Sequence, residues 1–226
     1  PCDKLSKKQS FSPQKTYFCQ DFNDTMTKIL RILNRFNLGG PTYNVAYLTK
    51  YISKEYQTIL IGGLKEDSEG SSEYILNNLG ISYTIIPEIR REINLRRDFQ
   101  ALRKLIKIIQ TEKPDIVHTH ASKAGMLGRM AAIYCGVPYI FHTFHGHVFH
   151  SYFGKIKTSV FIVIERFLAK KSTAIIAISE NQKYELGTLY KICPPEKIEV
   201  VPLGFDLRRF SEDTISKRAT FRSKYN

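Results

Sequence analysis

Between Asp115 and Glu165 the chain holds all six of its histidines and no acidic residue. They fall into two groups. His118 and His120 are followed at once by Ser122-Lys123, while His142, His145, His147 and His150 form the pattern H-x-x-H-G-H-x-x-H. Imidazoles placed this way can ligate a metal, move a proton or donate hydrogen bonds to an anion. Zinc is the weaker option, because catalytic zinc sites commonly add a carboxylate or use an H-E-x-x-H helix, and this stretch has neither. A basic, histidine-rich loop suits an anion better, and Gly146 lets its backbone approach a ligand closely. Lys123 adds a cation at a helix start, where free backbone N–H groups also favour negative charge. A second candidate is Gly39-Gly40, which follows the first apolar run. Adjacent glycines there allow close backbone approach, and the helix N-terminus after them offers N–H groups to a phosphate. The spacing is not G-x-G-x-x-G, so it is no dinucleotide fingerprint.

These groups need a frame, and the apolar pattern supplies it. Asp115–Thr119 reads as a buried strand, Ser122 is placed to cap the next helix, and Gly136 sits just past its last apolar turn. Val137–Phe141 is a second strand ending in His and Thr. Two parallel strands joined by a helix make a right-handed βαβ unit. Both histidine groups then lie at carboxyl ends of neighbouring strands, where open α/β sheets bind ligands. His118 and His120 share a strand face, so both point into the cleft or both into the core.

The rest of the chain repeats the alternation. Lys28–Asn34, Tyr56–Ile61, Ser82–Ile86, Ala174–Ile178 and Lys197–Val201 read as strands. Helices are expected after Thr42 or Asn44 as a cap, over 71–79, Leu95–Glu112, Phe153–Lys171 and Glu180–Tyr190. That order predicts an α/β, doubly wound parallel sheet of the Rossmann-like kind. Residues 1–25 carry no periodicity and Met26 directly precedes the first strand, so they read as a non-native or disordered leader. After Asp206 the pattern stops, with a short amphipathic piece around Arg218–Tyr225.

A chain of 226 residues, 42% hydrophobic, can bury a real core in one large or two small domains. No apolar run reaches the roughly 20 residues of a membrane span. The four cysteines (Cys2, Cys19, Cys135, Cys193) have no metal-like spacing, which fits a reduced, cytosolic setting. Against 21 acidic residues stand 34 Lys and Arg, a net charge of +13. This favours anionic partners, whether nucleic acid, an acidic leaflet or phosphorylated substrates. The 95–112 helix places Phe99, Leu102, Leu105, Ile106 and Ile109 on one side, ringed by Arg96, Arg97, Arg103, Lys104 and Lys107. It reads as a solvated crossover helix or as a basic face for an anionic membrane surface.

Several motifs in this order resemble the N-terminal half of family 4 glycosyltransferases. They are Gly39-Gly40, HTHASKAGMLGR (118–129), TFHG (143–146), AISE (177–180) and VPLGFD (201–206), and the likeness runs from about Lys28 to Phe210. The family usually has Asn where this chain has Leu203. The resemblance implies one of the two Rossmann-like domains of a GT-B fold, retaining stereochemistry, and no required metal or cofactor. It implies a nucleotide-sugar donor on a C-terminal domain and a saccharide or lipid-linked saccharide acceptor on the N-terminal one. Residues 26–206 would be the acceptor domain and 207–226 the start of a linker to a donor domain that these residues do not contain. The fragment alone would then be inactive. Carried over by position, Gly39 and Gly40 would face the donor pyrophosphate and His145 would be the catalytic histidine beside the transferring sugar. His120, Ser122, Lys123, Gly146 and His147 would line the acceptor side. The expected location is cytoplasmic, peripheral on the inner face of the plasma membrane. Two rivals remain: a nucleotide-sugar epimerase of the same architecture, which needs acidic groups beside the cleft, and a basic nucleic-acid module. The chain lacks a recognisable nucleic-acid motif, so no nucleic-acid partner is expected.

Overall fold

The computed structural model describes residues 26–146 and 155–225. The proposed leader, His147 and His150 lie outside the described residues. Seven strands pair in parallel: β1 (Thr27–Leu33), β2 (Tyr56–Gly63), β3 (Tyr83–Ile86), β4 (Ile116–His120), β5 (Tyr139–Thr143), β6 (Ala174–Ala177) and β7 (Ile198–Val200). Helices alternate with them: α1 (Gly40–Lys50), α2 (Glu73–Asn78), α3 (Leu95–Glu112), α4 (Ser122–Tyr134), α5 (Lys155–Lys171) and α6 (Glu180–Tyr184). Two more, α7 (Arg208–Ser211) and α8 (Thr214–Tyr225), follow the sheet. The strand order is 3-2-1-4-5-6-7, the doubly wound Rossmann-like sheet the alternation predicts.

The order fixes where a ligand goes. From β1 the chain steps outward to β2 and β3, then α3 carries it back to β4 on the other side of β1. The turn after β1 and the end of β4 therefore flank the point where the winding reverses, the usual ligand crevice of such sheets. Gly39-Gly40 and His118 both border that crevice although some 80 residues separate them in sequence.

Apolar residues on both sheet faces hold this frame. Leu30, Ile32, Val117 and Ile140 pack with Leu105, Ile109 and Leu127 from α3 and α4. On the opposite face Leu33, Phe36 and Leu60 meet Val45 and Leu76. A Cβ on Gly125 would collide with the His142 ring, and one on Gly128 with Thr119 and Ile32. The two glycines thus let α4 lie directly on β4 and β5. Arg129 of the same helix is fully buried, donating to both Glu165 carboxylate oxygens at 2.8 and 2.6 Å and to Gly125 O at 2.8 Å.

Four local expectations are corrected. β5 runs on to Thr143, because its ladder with β4 continues to the pair His120↔Thr143. Ser122 does not cap α4 but begins it, and the cap position is Ala121 at φ 64, a strained value for a residue with a Cβ. Likewise α1 begins at Gly40 with no side-chain cap, and the Thr42 hydroxyl donates to Asn37 O at 3.0 Å. The 180–190 helix opens into a π turn over Glu185–Leu189, with Gly187 set against Pro195 and Ile198.

Candidate active site

Alternation along β4 and β5 sorts the histidines. His118 and His120 share one face, ring centroids 4.1 Å apart, while Thr119 faces the other way toward α4. On β5, His142 turns to that α4 side and accepts or donates a 2.9 Å bond with Thr119 Oγ1. Thr143 instead faces His118, with Thr143 Oγ1 2.8 Å from His118 Nε2. Past the strand, His145 Nε2 lies 3.0 Å from His120 Nδ1, the rings stacked at 5.2 Å. His142 and His145 are therefore on opposite sides of the sheet and cannot share one metal ion.

The imidazoles are kept neutral. Burial pushes His118, His120 and His142 well below their ordinary pKa, with neighbouring cationic Arg31 or Arg129 and the other histidines adding to it. Burial alone lowers His145 to about 4. His120 Nε2, His142 Nε2 and His145 Nδ1 are buried without a hydrogen-bond partner. Of these three residues, only His145 is part-exposed.

Two adjoining cavities open at the carboxyl ends of the strands. The larger, about 610 Å³, is walled by His118 and Thr143, by Tyr47 and Tyr51 of α1, and by Leu203 and Asp206 after β7. The smaller, about 370 Å³, is lined by Gly39, Gly40 and Tyr43 at the start of α1 and by Phe205 and Phe210. Both glycines thus stand beside a cavity at an uncapped helix N-terminus, an arrangement that suits a phosphate. Gly39 is extended at φ 170, neither glycine is left-handed, and neither would meet backbone if given a Cβ. The turn is open rather than forced.

Lys123 does not stand free. Its ammonium is buried 2.5 Å from Asp98 Oδ1 and donates to Glu92 O, which ties α4 to α3. None of His120, Ser122, Lys123 and His145 lines the described cavities; His120 stands behind His118, which does, and holds His145 on its other side. Gly146 has φ 131 and its carbonyl accepts from Gln182 Nε2 at 3.0 Å, which pins the loop after β5 to α6. Sequence reasoning missed the tyrosines of α1 and residues 201–206 as the cavity walls. A signal was there: Tyr43, Tyr47 and Tyr51 recur every fourth residue, and their rings lie 6.1 and 6.0 Å apart. Arg31 was also missed. It is buried in β1 opposite His118, where a charge looks out of place in an apolar strand.

Residues 38–209, which span both cavities and all the histidine strands, match the family described as Glycosyltransferase Family 4. The chain belongs to that family. This family 4 chain is 42% identical over 127 residues to the UDP-Gal:alpha-D-GlcNAc-diphosphoundecaprenol alpha-1,3-galactosyltransferase of Escherichia coli, covering 56% of the chain and 32% of that relative. It is 33% identical over 120 residues to the capsular polysaccharide biosynthesis glycosyltransferase CapM of Staphylococcus aureus, covering 53% and 31%. A glycosyltransferase from Rickettsia africae shares the fold at a TM-score of 0.64 and 19% identity, over 88% of the chain and 49% of that structure. The family 4 chain thus spans about a third of the curated relatives it matches and about half of that structure.

Proposed function

We propose that this family 4 chain is the acceptor-holding half of a glycosyltransferase that builds cell-surface polysaccharide or glycolipid. It moves a sugar from a nucleotide-sugar donor to a hydroxyl of a saccharide or lipid-linked saccharide, with retention. The observation that carries the reading is the family 4 match laid over a switch-point crevice. In this reading residues 26–206 hold the acceptor, and 207–226 lead toward a second domain that supplies the donor. The acceptor ring lies against Tyr47 and Tyr51 in the larger cavity. The donor diphosphate faces the N–H groups at Gly39-Gly40, and His145 sits between the two. The attacking hydroxyl approaches on the face the diphosphate leaves, and the leaving phosphate takes its proton. The protein's part is to position the partners and stabilise charge, which needs neither a protein nucleophile nor a metal. Asp206 is the one carboxylate among the described lining residues of either cavity, and it stands across from the histidines rather than among them. An epimerase's acid–base pair finds little to use there.

The test offers the full-length protein labelled UDP-galactose, then a panel of other nucleotide sugars, with N-acetylglucosaminyl-diphospho-undecaprenol as acceptor. Label is expected in the lipid phase, with the anomeric configuration of the donor kept in the product. An inverted product overturns retention. No transfer from any donor overturns the transferase reading. Conversion of UDP-N-acetylglucosamine to its 2-epimer without acceptor would favour the epimerase.

A further inference from the structure

Arg31 of β1 and His118 of β4 are register partners on the crevice side of the sheet. The Arg31 side chain is buried, yet among the described residues it meets no carboxylate. Nη1 lies 2.8 Å from His118 Nδ1, Nη2 donates to Leu48 O at 3.4 Å, and Nε has no partner. A guanidinium has donors only, and burial lowers Arg31 no further than about 10, so it stays charged at neutral pH. His118 Nδ1 must therefore present its lone pair. The neutral ring then carries its proton on Nε2, and that N–H donates to Thr143 Oγ1 at 2.8 Å. The Thr143 hydroxyl has accepted a bond from His118 and cannot return its own proton there. Both side chains wall the larger cavity.

We propose that Arg31 and His118 act as positioning residues that turn the Thr143 hydroxyl into a fixed hydrogen-bond donor to an oxygen of the acceptor saccharide. The proposal rests on the acceptor lying in that cavity. A fixed donor selects for an oxygen offering a lone pair (a ring, carbonyl or hydroxyl oxygen) and against a group that can only donate. The apolar surroundings strengthen the bond and penalise an analogue that leaves it unmade. They also explain a buried cation without a carboxylate: Arg31 sets the direction of a proton two residues away.

Histidine-selective ¹⁵N NMR on the full-length enzyme reads the tautomer without substrate, and Nε2–H is expected for His118. Kinetics follow with UDP-galactose and N-acetylglucosaminyl-diphospho-undecaprenol. Thr143→Val should raise the acceptor KM about tenfold, the loss of one hydrogen bond, with the donor KM unchanged. Thr143→Ser should restore it. Arg31→Met frees the His118 Nε2 lone pair to take the Thr143 proton, so it should shift the tautomer and copy the Thr143→Val effect. The double variant should be no worse than either single one. Arg31→Met removes a buried unpaired charge and should fold well. A His118 protonated on Nδ1 in the wild type overturns the relay. So does an unchanged acceptor KM in Thr143→Val beside an active wild type. A wild type that transfers nothing overturns the functional reading, and with it the saccharide as owner of the oxygen. The substrate-free tautomer separates that failure from a wrong relay.

Discussion

His145 shows how much of the site is set by single side chains. Pushed to about 4 by burial, it is neutral near pH 7, so in the proposed reaction it would act as a neutral hydrogen-bonding group rather than as a cation. Its bond to His120 fixes the ring, and Nδ1 is left buried without a hydrogen-bond partner. In the complete enzyme His145→Ala should lower kcat roughly 10²-fold with folding intact, as for loss of one donor at a developing charge. Because the group protonates only near 4, the wild-type kcat/KM should show no His145 inflection between about pH 5.5 and 8. Steady-state rates across that range, with circular dichroism of the variant, check both. Wild-type turnover in a folded His145→Ala would remove it from the site. The shared face of His118 and His120 was legible from the period of two. The bond from His118 to Thr143 was not. It depends on how β4 registers against β5, which sets Thr143 opposite His120 and brings its hydroxyl to His118.

One helix, α4, decides whether those side chains line up. It carries no catalytic group, yet Gly125 and Gly128 seat it on the back of His142 and Thr119, and Arg129 anchors it to α5. The Arg129–Glu165 pair is fully buried, so removing one partner strands a charge in an apolar layer. Glu165→Ala should therefore cost about 3–5 kcal/mol in urea unfolding, while Arg129→Met/Glu165→Leu should recover most of it. A double variant as unstable as the single one would show that the pair's geometry, and not stranded charge, sets the cost. Element order and the ends of α3 were readable from apolar periodicity, since long buried runs leave little choice; the switch point follows only from the strand order. The helix starts were not. At both Gly39 and Ala121 the chain enters its helix without a side-chain cap, so searching for Ser or Thr misplaced the caps. Lys123 and Asp98 explain another gap, because a cation and a carboxylate on different helices disappear into one buried pair that neither local pattern announces.

At the scale of the whole molecule the +13 charge has to be reconciled with the proposed recognition of a few substrate groups. No helix among the described residues is long and apolar enough to cross a membrane. The sequence placed Phe99 on the apolar, inward side of α3, and the structure corrects this. Ala101, Leu105 and Ile109 face the core, and Asp98 turns in to meet Lys123. Phe99 is left 60% exposed beside Ile93 and Leu95, at 64% and 85%. An outward apolar tip amid cations is compatible with an interfacial anchor as well as with a solvated crossover helix. Two of the five cations are already neutralised, Arg97 by Glu92 at 3.3 Å and Lys104 by Glu88 at 2.5 Å. Arg96, Arg103 and Lys107 are left to meet an anionic leaflet at about 1 kcal/mol each. Such attachment is weak and salt-sensitive, since the field decays within about 10 Å at 0.1 M salt. We expect the protein to co-sediment with vesicles containing phosphatidylglycerol, to be released in high salt, and to ignore neutral vesicles. Arg96→Glu/Arg103→Glu should weaken binding several-fold, and Phe99→Ser should weaken it at every salt concentration, because the apolar term is not screened. Binding that is equal on neutral vesicles, or that survives both substitutions, would move the attachment site away from α3. No binding to anionic vesicles would leave the charge to serve the phosphorylated substrates alone.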